Sequence, residues 1–458
     1  MQFTATTIPE VQHIVHSVRK AQPAWASSEI ETRVATLQAF KQAIQSVESE
    51  LFEAMCEDCK RIGLSKLELF LLYQRIDHWC ARAPMLCKLQ ETGISQVQPS
   101  VTYQQVYHPY PVVGCISPWN YPLTLSFADA IPALLAGCSV VLKPSEITPR
   151  FATPIRKAIH QVPSLQNIFA IVLGDGEVGK ALIDEVDLIC FTGSVTTGRK
   201  VAVQAASRLI PAIVELGGKD PLLVCEDVDI EVAARVIIRS SCAGSGQACQ
   251  SIERVYIHHS IFQKVLEEIK KQIQDITSTA TDPQNGTQTP FIHHPQATIV
   301  KEQIDEAIGQ GAIPYSVGEW QESKGYHWCP ITILTNVNHS MRIMQEETFG
   351  PVIPLMPFKS DEEAIALAND SEFGLSAAVL CNDQARAIAI AKQIKAGAIS
   401  IHDAGLTTTL YDVEKNSFAQ SGLGASRMGD VGLTRFFRKQ ALLFQTKPPI
   451  PLTMFKNQ

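Results

Sequence analysis

The sequence predicts an α/β fold of two units, each a parallel sheet with helices on both faces. Two observations carry this. Residues 113–116, 139–142, 169–172, 188–191 and 213–215 are short runs that are apolar throughout, the pattern of strands buried on both sides. Segments that suit helices, such as 152–161 and 198–209, separate them, and such alternation builds parallel sheets. After Leu216 the alternation resumes. Residues 222–224, 255–258, 352–358, 377–381 and 398–402 read as strands, and 231–241, 261–276 and 384–395 as helices.

In chain order, the first ninety or so residues read as helices. Trp25, Val34, Leu37, Phe40, Ile44, Val47 and Leu51 recur at helical spacing with charges between them. Residues 102–107 have strand character. The stretch 112–142 carries Asp129 as its one charge, which suggests a membrane span. Pro118, Pro122, Pro132, Gly114 and Gly137 interrupt it, so a buried strand–loop–helix–strand fits better. Residues 277–286 are polar and turn-rich, as in a surface loop.

Composition narrows the function classes. The chain has 458 residues, 45% hydrophobic and 19% charged, enough for two or three domains with large cores. A net charge of −7 gives no basic footprint for nucleic acid. The N-terminus lacks a basic region followed by an apolar run, so no signal peptide is expected. Twelve scattered cysteines imply reduced thiols and a cytoplasmic location. Cys56 and Cys59 form a CxxC without a second pair, which reads as a helix with two thiols, and no metal site is expected.

Four motifs can carry chemistry. In Ser245-Gly246-Gln247-Ala248-Cys249, small neighbours leave the thiol approachable, though a free cysteine is commonly a small buried hydrophobe. In Glu215-Leu216-Gly217-Gly218-Lys219, a strand-end carboxylate facing a cleft can act as a base; a plain Gly-Gly turn is the alternative. In Pro118-Trp119-Asn120-Tyr121-Pro122, two prolines stiffen a turn that presents an amide donor, as an oxyanion site needs; a structural Asx turn is the alternative. In Phe191-Thr192-Gly193-Ser194-Val195-Thr196-Thr197-Gly198, a strand meets a helix N-terminus that can hold a phosphate. Residues 174–179 also match GxGxxG, but Asp175 and Glu177 would repel a pyrophosphate there.

Together these motifs resemble the aldehyde dehydrogenase superfamily (NAD(P)-dependent, non-acylating), over about residues 25–444. The Asn120, Glu215 and Cys249 motifs stand in the family's order, and 249 − 215 = 34 residues matches its spacing. Lys143-Pro144-Ser145-Glu146 looks like the family's adenosine-ribose strand end. Glu346-Glu347-Thr348-Phe349-Gly350-Pro351 looks like its nicotinamide-ribose motif. Asn369, Phe373-Gly374-Leu375-Ser376 and Ser421-Gly422-Leu423-Gly424 also match.

The resemblance implies that Cys249 attacks the aldehyde, giving a thiohemiacetal and then a thioester. Asn120 and the Cys249 N–H would hold the oxyanion, and Glu215 would activate the hydrolytic water. Trp119, Lys143, Glu146, Gly193, Ser194 and Gly198 would contact the adenine-side ribose and pyrophosphate, and Ile116 and Leu216 would also bind the cofactor. Glu347 would hold the nicotinamide ribose, with Phe349 against the ring. A carboxylate at Glu146 suits a ribose diol and repels a 2′-phosphate, so NAD is expected over NADP.

It also implies a Rossmann-like cofactor domain (1–88 and 107–217), an α/β catalytic domain (218–412), a returning segment of the cofactor domain (413–435) and a small β oligomerisation element (89–106 and 436–458). In that element a hairpin forms near 89–106 and residues 441–444 pair with a neighbouring subunit, giving a homodimer or homotetramer. No longer N-terminal arm and no C-terminal membrane anchor are expected.

Three departures fall near the substrate pocket. Gly244 stands where the family often has Asn. Glu414-Lys415-Asn416-Ser417-Phe418-Ala419 replaces its Pro-Phe-Gly-Gly-x-Lys run, and His402 replaces a strand-end Asn. Tyr121, Leu406, Tyr411 and Phe418 suggest an apolar or aromatic entrance for a medium or long apolar, or aromatic, aldehyde. Arg254 reads as structural. The rival readings are a CoA-acylating semialdehyde dehydrogenase, against which Glu215 argues, a non-catalytic binding protein of the same fold, and a cysteine hydrolase without NAD.

Overall fold

The structure, a computed structural model, describes residues 4–88, 91–276, 288–323, 325–408 and 410–448. Helices Ile8–Ala26, Ile30–Ser46, Glu48–Cys59 and Ile62–Cys87 open the chain. Their periodic apolar residues face inward: Trp25, Leu37, Phe40, Ile44 and Leu51 are buried, and Val34 and Val47 pack at the edge of the same core. The polar segment 277–286 lies outside the described residues.

The first series of apolar runs forms a six-stranded sheet. Val112–Ile116 pairs in parallel with Ser139–Lys143 and Leu188–Thr192, and Phe169–Ile171 and Ala212–Glu215 extend the sheet on either side. Along Ser139–Lys143, Val140 and Leu142 enter one core with Phe40 and Phe127, while Val141 enters another with Val178 and Val201. Two apolar faces explain why the run does not alternate. Helix Pro122–Ala136 lies between the first two strands and closes at Gly137, at φ +100°. No helix among the described residues is long and apolar enough to cross a membrane.

The second series forms a seven-stranded sheet in the order Ile313–Ser316, Thr332–Thr335, Val352–Phe358, Ile252–His258, Asp220–Val224, Ser376–Leu380, Ala398–Ile401. It is parallel apart from its Ile313–Ser316 edge. That edge strand, Thr332–Thr335 and helix His294–Gly309 go beyond the sequence reading. Ile313 is well exposed and Pro314 sits at the edge, so no apolar run marks the strand. The helix expected at 198–209 begins earlier, at Val195, and ends at Ser207.

A three-stranded antiparallel sheet joins Glu91–Ile94, Val101–Pro109 and Phe437–Gln445. The strand that holds residues 441–444 pairs along one edge with Val101–Pro109, Val101 opposite Gln445 through Pro109 opposite Phe437. Leu443 and Phe444 remain exposed on it.

The returning segment touches both large sheets. Gly422–Leu423 adds an antiparallel strand beside Val214 and Glu215, and Phe418–Ala419 pairs with Phe373–Gly374. Asp129, buried in helix Pro122–Ala136, receives Arg427 at 2.8 Å and Arg435 at 2.5 Å. Burial opposes ionisation of Asp129, but the two guanidinium groups hold its carboxyl below the usual range. Replacing Asp129 by Asn strands two buried cations, and removal of one partner from such a pair costs about 3–5 kcal/mol. Denaturant unfolding of Asp129→Asn is expected to show a loss of that size; a change under ~1 kcal/mol would refute this role for the cluster.

Candidate active site

The chain crosses from the first sheet to the second through Leu216-Gly217-Gly218-Lys219, between strands Ala212–Glu215 and Asp220–Val224. The two glycines are needed for space. A Cβ on Gly217 would stand 2.4 Å from Glu347 Oε2, and one on Gly218 would stand 2.7 Å from the Cys249 carbonyl oxygen. The Gly218 N–H donates to Glu347 Oε1 at 3.2 Å. The crossing thus brings Glu215, Glu347 and Cys249 together.

Past helix Ile230–Cys242, Gly244, Ser245 and Gly246 have φ of +62°, +58° and +68°. A left-handed serine is strained, and such strain collects at functional sites. A Cβ on Gly246 would meet the Gly350 carbonyl oxygen at 2.2 Å, so only glycine lets the Cys249 loop approach the loop of Glu347. Gln247, fully buried, knits the turn. Its amide donates to the Gly244 and Pro290 carbonyls at 3.0 and 3.1 Å and accepts from the Ile292 N–H at 2.9 Å. Its own carbonyl accepts from Asn120 Nδ2 at 3.0 Å, which ties the buried Asn120 side chain to the nucleophile loop. Arg61 donates to the Asn120 carbonyl. Glu68 accepts from the Leu123 and Thr124 N–H groups at 3.1 and 3.0 Å, anchoring the helix that follows Asn120.

A buried ion pair holds the opposite wall. Lys219 Nζ donates to Glu253 Oε2 and to Thr348 Oγ1, both at 2.8 Å. Glu253 also accepts from the Thr348 and Phe349 N–H groups at 2.7 and 2.8 Å. Phe349 adopts φ +54° and meets Trp119 edge-on at 5.5 Å.

The pocket is rich in acids. Burial, then Glu347 and Asp220, push the Cys249 thiol up to about 12; Lys415 opposes the rise and Glu215 adds to it. Burial and then Glu253 push Glu347 up to about 8, against the Gly218 N–H and Lys219. Burial raises Asp220 to about 7 although Ser376 donates to it twice. Glu215, partly exposed, accepts from Ser417 Oγ at 2.8 Å.

On the cofactor side, Lys143 ends its strand buried, 3.3 Å from the largely exposed carboxylate of Glu146. Ser194 caps helix Val195–Ser207 by accepting from the Thr197 N–H, leaving the first N–H groups of the helix for an anion. Gly198 lets that helix close on Leu216: a Cβ would stand 2.3 Å from Leu216 Cδ2. A Cβ on Gly193 would stand 2.6 Å from the Phe191 ring. Gly179 brings helix Gly176–Glu185 against Ile116 and Lys143. Asp175 of the GxGxxG stretch caps its own helix instead. An anion site, a Lys–Glu pair and the protonatable Glu347 form a donor set that fits a dinucleotide's pyrophosphate and two riboses.

The proposed entrance residues make separate contacts. Tyr121 lies under Arg61 and Tyr411 under Arg75, while Leu406 and Phe418 are exposed. Arg254 is buried and spent on the Lys219, Leu367, Ala368 and Asp370 carbonyls, which supports its structural reading. Gln247, Lys219, Glu253, Arg61, Glu68 and Ser417 went unmarked as site residues. Of these only Gln247 and Lys219 stand inside a motif; the others act across long chain separations.

The sequence profile of the aldehyde dehydrogenase family matches residues 1–442. The chain belongs to the aldehyde dehydrogenase family. It is 31% identical to a protein named as a candidate succinate-semialdehyde dehydrogenase [NADP(+)] of Mycolicibacterium smegmatis, over 98% of this chain and 89% of that one. It is 33% identical to a 4,4'-diapolycopene aldehyde oxidase of a Methylomonas species, over 97% and 81%. The solved structure of a candidate aldehyde dehydrogenase, PutA of Anabaena variabilis, superposes with a TM-score of 0.95 at 44% identity, over 98% of this chain and 96% of that one.

A carboxyl with a raised pKa favours the fold below its unfolded pKa, and that advantage fades as pH climbs through the folded value. Asp220 near 7, Glu68 near 7 and Glu347 near 8 all act in this sense. Thermal unfolding should therefore show Tm falling from about pH 5 to about pH 8. The fall should be shallower in Asp220→Asn; parallel curves for the two proteins would refute the assignment of Asp220.

Proposed function

We propose that the protein oxidises an aldehyde to the carboxylic acid through a thioester on Cys249, with NAD(P) as the oxidant. One observation carries the reading: the Leu216–Lys219 crossing that follows Glu215 packs Gly217 against the Glu347 carboxyl and Gly218 against the Cys249 carbonyl, so three separate stretches converge on the thiol. Loss of the Sγ proton leaves a thiolate whose electron pair bonds to the aldehyde carbon, and the carbonyl pair moves to oxygen. The Cys249 N–H and the Asn120 amide are the donors for that oxyanion. Support for Asn120 comes from its bond to the Gln247 carbonyl, two residues before the thiol.

The nicotinamide cofactor, when bound, supplies the hydride acceptor. Trp119, Lys143, Glu146, Gly193, Ser194 and Gly198 are assigned to its adenine-side ribose and pyrophosphate, with Ile116 and Leu216 on the walls. Glu347 is assigned to the other ribose and Phe349 to the ring. Glu215 then takes a proton from water, the hydroxide adds to the thioester carbonyl, and the C–S bond breaks to release acid and thiolate.

Replacing Glu215 by Gln should spare the first NADH burst and slow turnover by about 10²–10⁴-fold, with acyl-enzyme trapped on Cys249 and visible by mass spectrometry. Cys249→Ala should show no burst. Free turnover in Glu215→Gln would overturn the assignment of the base. Acyl-CoA in place of free acid on adding CoA would favour the acylating alternative.

The exposed Glu146 carboxylate argues for NAD over NADP, because it would repel a 2′-phosphate. In steady-state kinetics kcat/KM should be higher with NAD, and Glu146→Gln should narrow the gap about tenfold. Equal or better kcat/KM with NADP in the parent would overturn this, and the NADP(+) in the Mycolicibacterium relative's name makes that the outcome to look for.

For the substrate we favour a medium or long apolar, or aromatic, aldehyde: Arg254 has no group left for a carboxylate, and the Methylomonas relative is named for an apolar aldehyde. A reducing, cytoplasmic location fits twelve cysteines that are all free thiols. Assembly as a homodimer or homotetramer fits the exposed Leu443 and Phe444 on the three-stranded sheet.

A further inference from the structure

Lys415 belongs to the segment that departs from the family run and stands at that run's Phe position. Its Nζ is buried, with no hydrogen-bond partner among the described residues. A buried ammonium without a partner is costly unless an anion forms nearby.

The backbone around it is pinned. The Lys415 N–H donates to Ser426 Oγ at 3.2 Å. The Asn416 carbonyl rests on Gly397, where a Cβ would come within 1.7 Å of its oxygen, and Glu414 rests on Gly429. Two residues on, Ser417 Oγ reaches Glu215 at 2.8 Å. The same packing leads back to the nucleophile. Leu375 touches the Cβ positions of both Gly397 and Gly218, and the latter lies against the Cys249 carbonyl.

The groups facing the thiol are the carboxyls of Glu347, Asp220 and Glu215, the Lys415 ammonium and the Tyr121 hydroxyl. Those facing Lys415 are Asp220 and Cys249. Lys219 donates to Glu253 and Thr348; Arg61 donates to the Asn120 carbonyl through Nη2 and lies over the Tyr121 ring, while its buried Nε and Nη1 have no hydrogen-bond partner among the described residues.

We propose that Lys415 is a positioning residue whose ammonium stabilises the Cys249 thiolate across the pocket. In the step it assists, the Sγ–H bond breaks, the pair stays on sulfur, the proton leaves through Glu215, and Lys415 keeps its own proton. This rests on Cys249 as nucleophile. If that reading fails, Cys249→Ala stays active, whereas alkylation of Cys249 is measured whether or not the enzyme turns over.

The test is the pH profile of iodoacetamide alkylation, read by mass spectrometry on the Cys249 peptide of the full chain. Lys415→Met should move the profile up by about one pH unit, so alkylation at neutral pH slows about tenfold. Lys415→Gln should do the same, and Lys415→Arg should stay within about threefold of the parent. The acid limb of kcat/KM for an uncharged aldehyde should shift with it. Superimposed profiles for Lys415→Met, Lys415→Gln and the parent would overturn the proposal. So would a defect confined to a higher KM for carboxylated aldehydes, which would make Lys415 a substrate contact.

Discussion

Lys219 and Glu253 form the buried pair on which the geometry of the site depends. Each is placed by a different loop: Lys219 closes the crossing between the sheets, and Glu253 lies four residues past Cys249. Their remaining hydrogen-bonding capacity goes to Thr348 and Phe349, so a single pair joins the crossing, the nucleophile loop and the loop of Glu347. Both charges are enclosed, and neither can be removed without leaving the other uncompensated. Because the donors are backbone N–H groups, the pair fixes main chain as well as side chains.

Around this pair the pocket gathers more acid than base. Enclosure raises the carboxyls of Asp220 and Glu347, so near neutrality they are partly protonated and can donate as well as accept. The same enclosure keeps the resting Cys249 thiol neutral. A neutral thiol is a poor target for oxidants, since the thiolate is the reactive form.

The α/β character and the central strands were legible because both faces of each sheet are apolar, as Val140, Val141 and Leu142 show. Cys249, Glu215 and Asn120 were legible through short motifs. The edge strand Ile313–Ser316 and helix His294–Gly309 were not, since exposure removes the apolar run from the strand and few of the helix residues are buried. Arg61, Glu68 and Glu253 were hidden for another reason. Each serves a loop distant in sequence, and a lone buried charge has no local pattern. The reading of 441–444 found the strand, but not its pairing with Val101–Pro109, which lies far away in the sequence and which strand character alone does not signal.

Gly422–Leu423 completes the edge of the sheet next to Glu215, yet it comes from near the end of the chain. During synthesis, the strand bearing Glu215 emerges long before its neighbour. Until then its outer edge offers unpaired N–H and C=O groups, and Glu215 lacks the hydroxyl of Ser417. A nascent or prematurely terminated chain therefore carries the thiol without a finished site around it. That edge is completed late, when Gly422–Leu423 docks beside Val214 and Glu215.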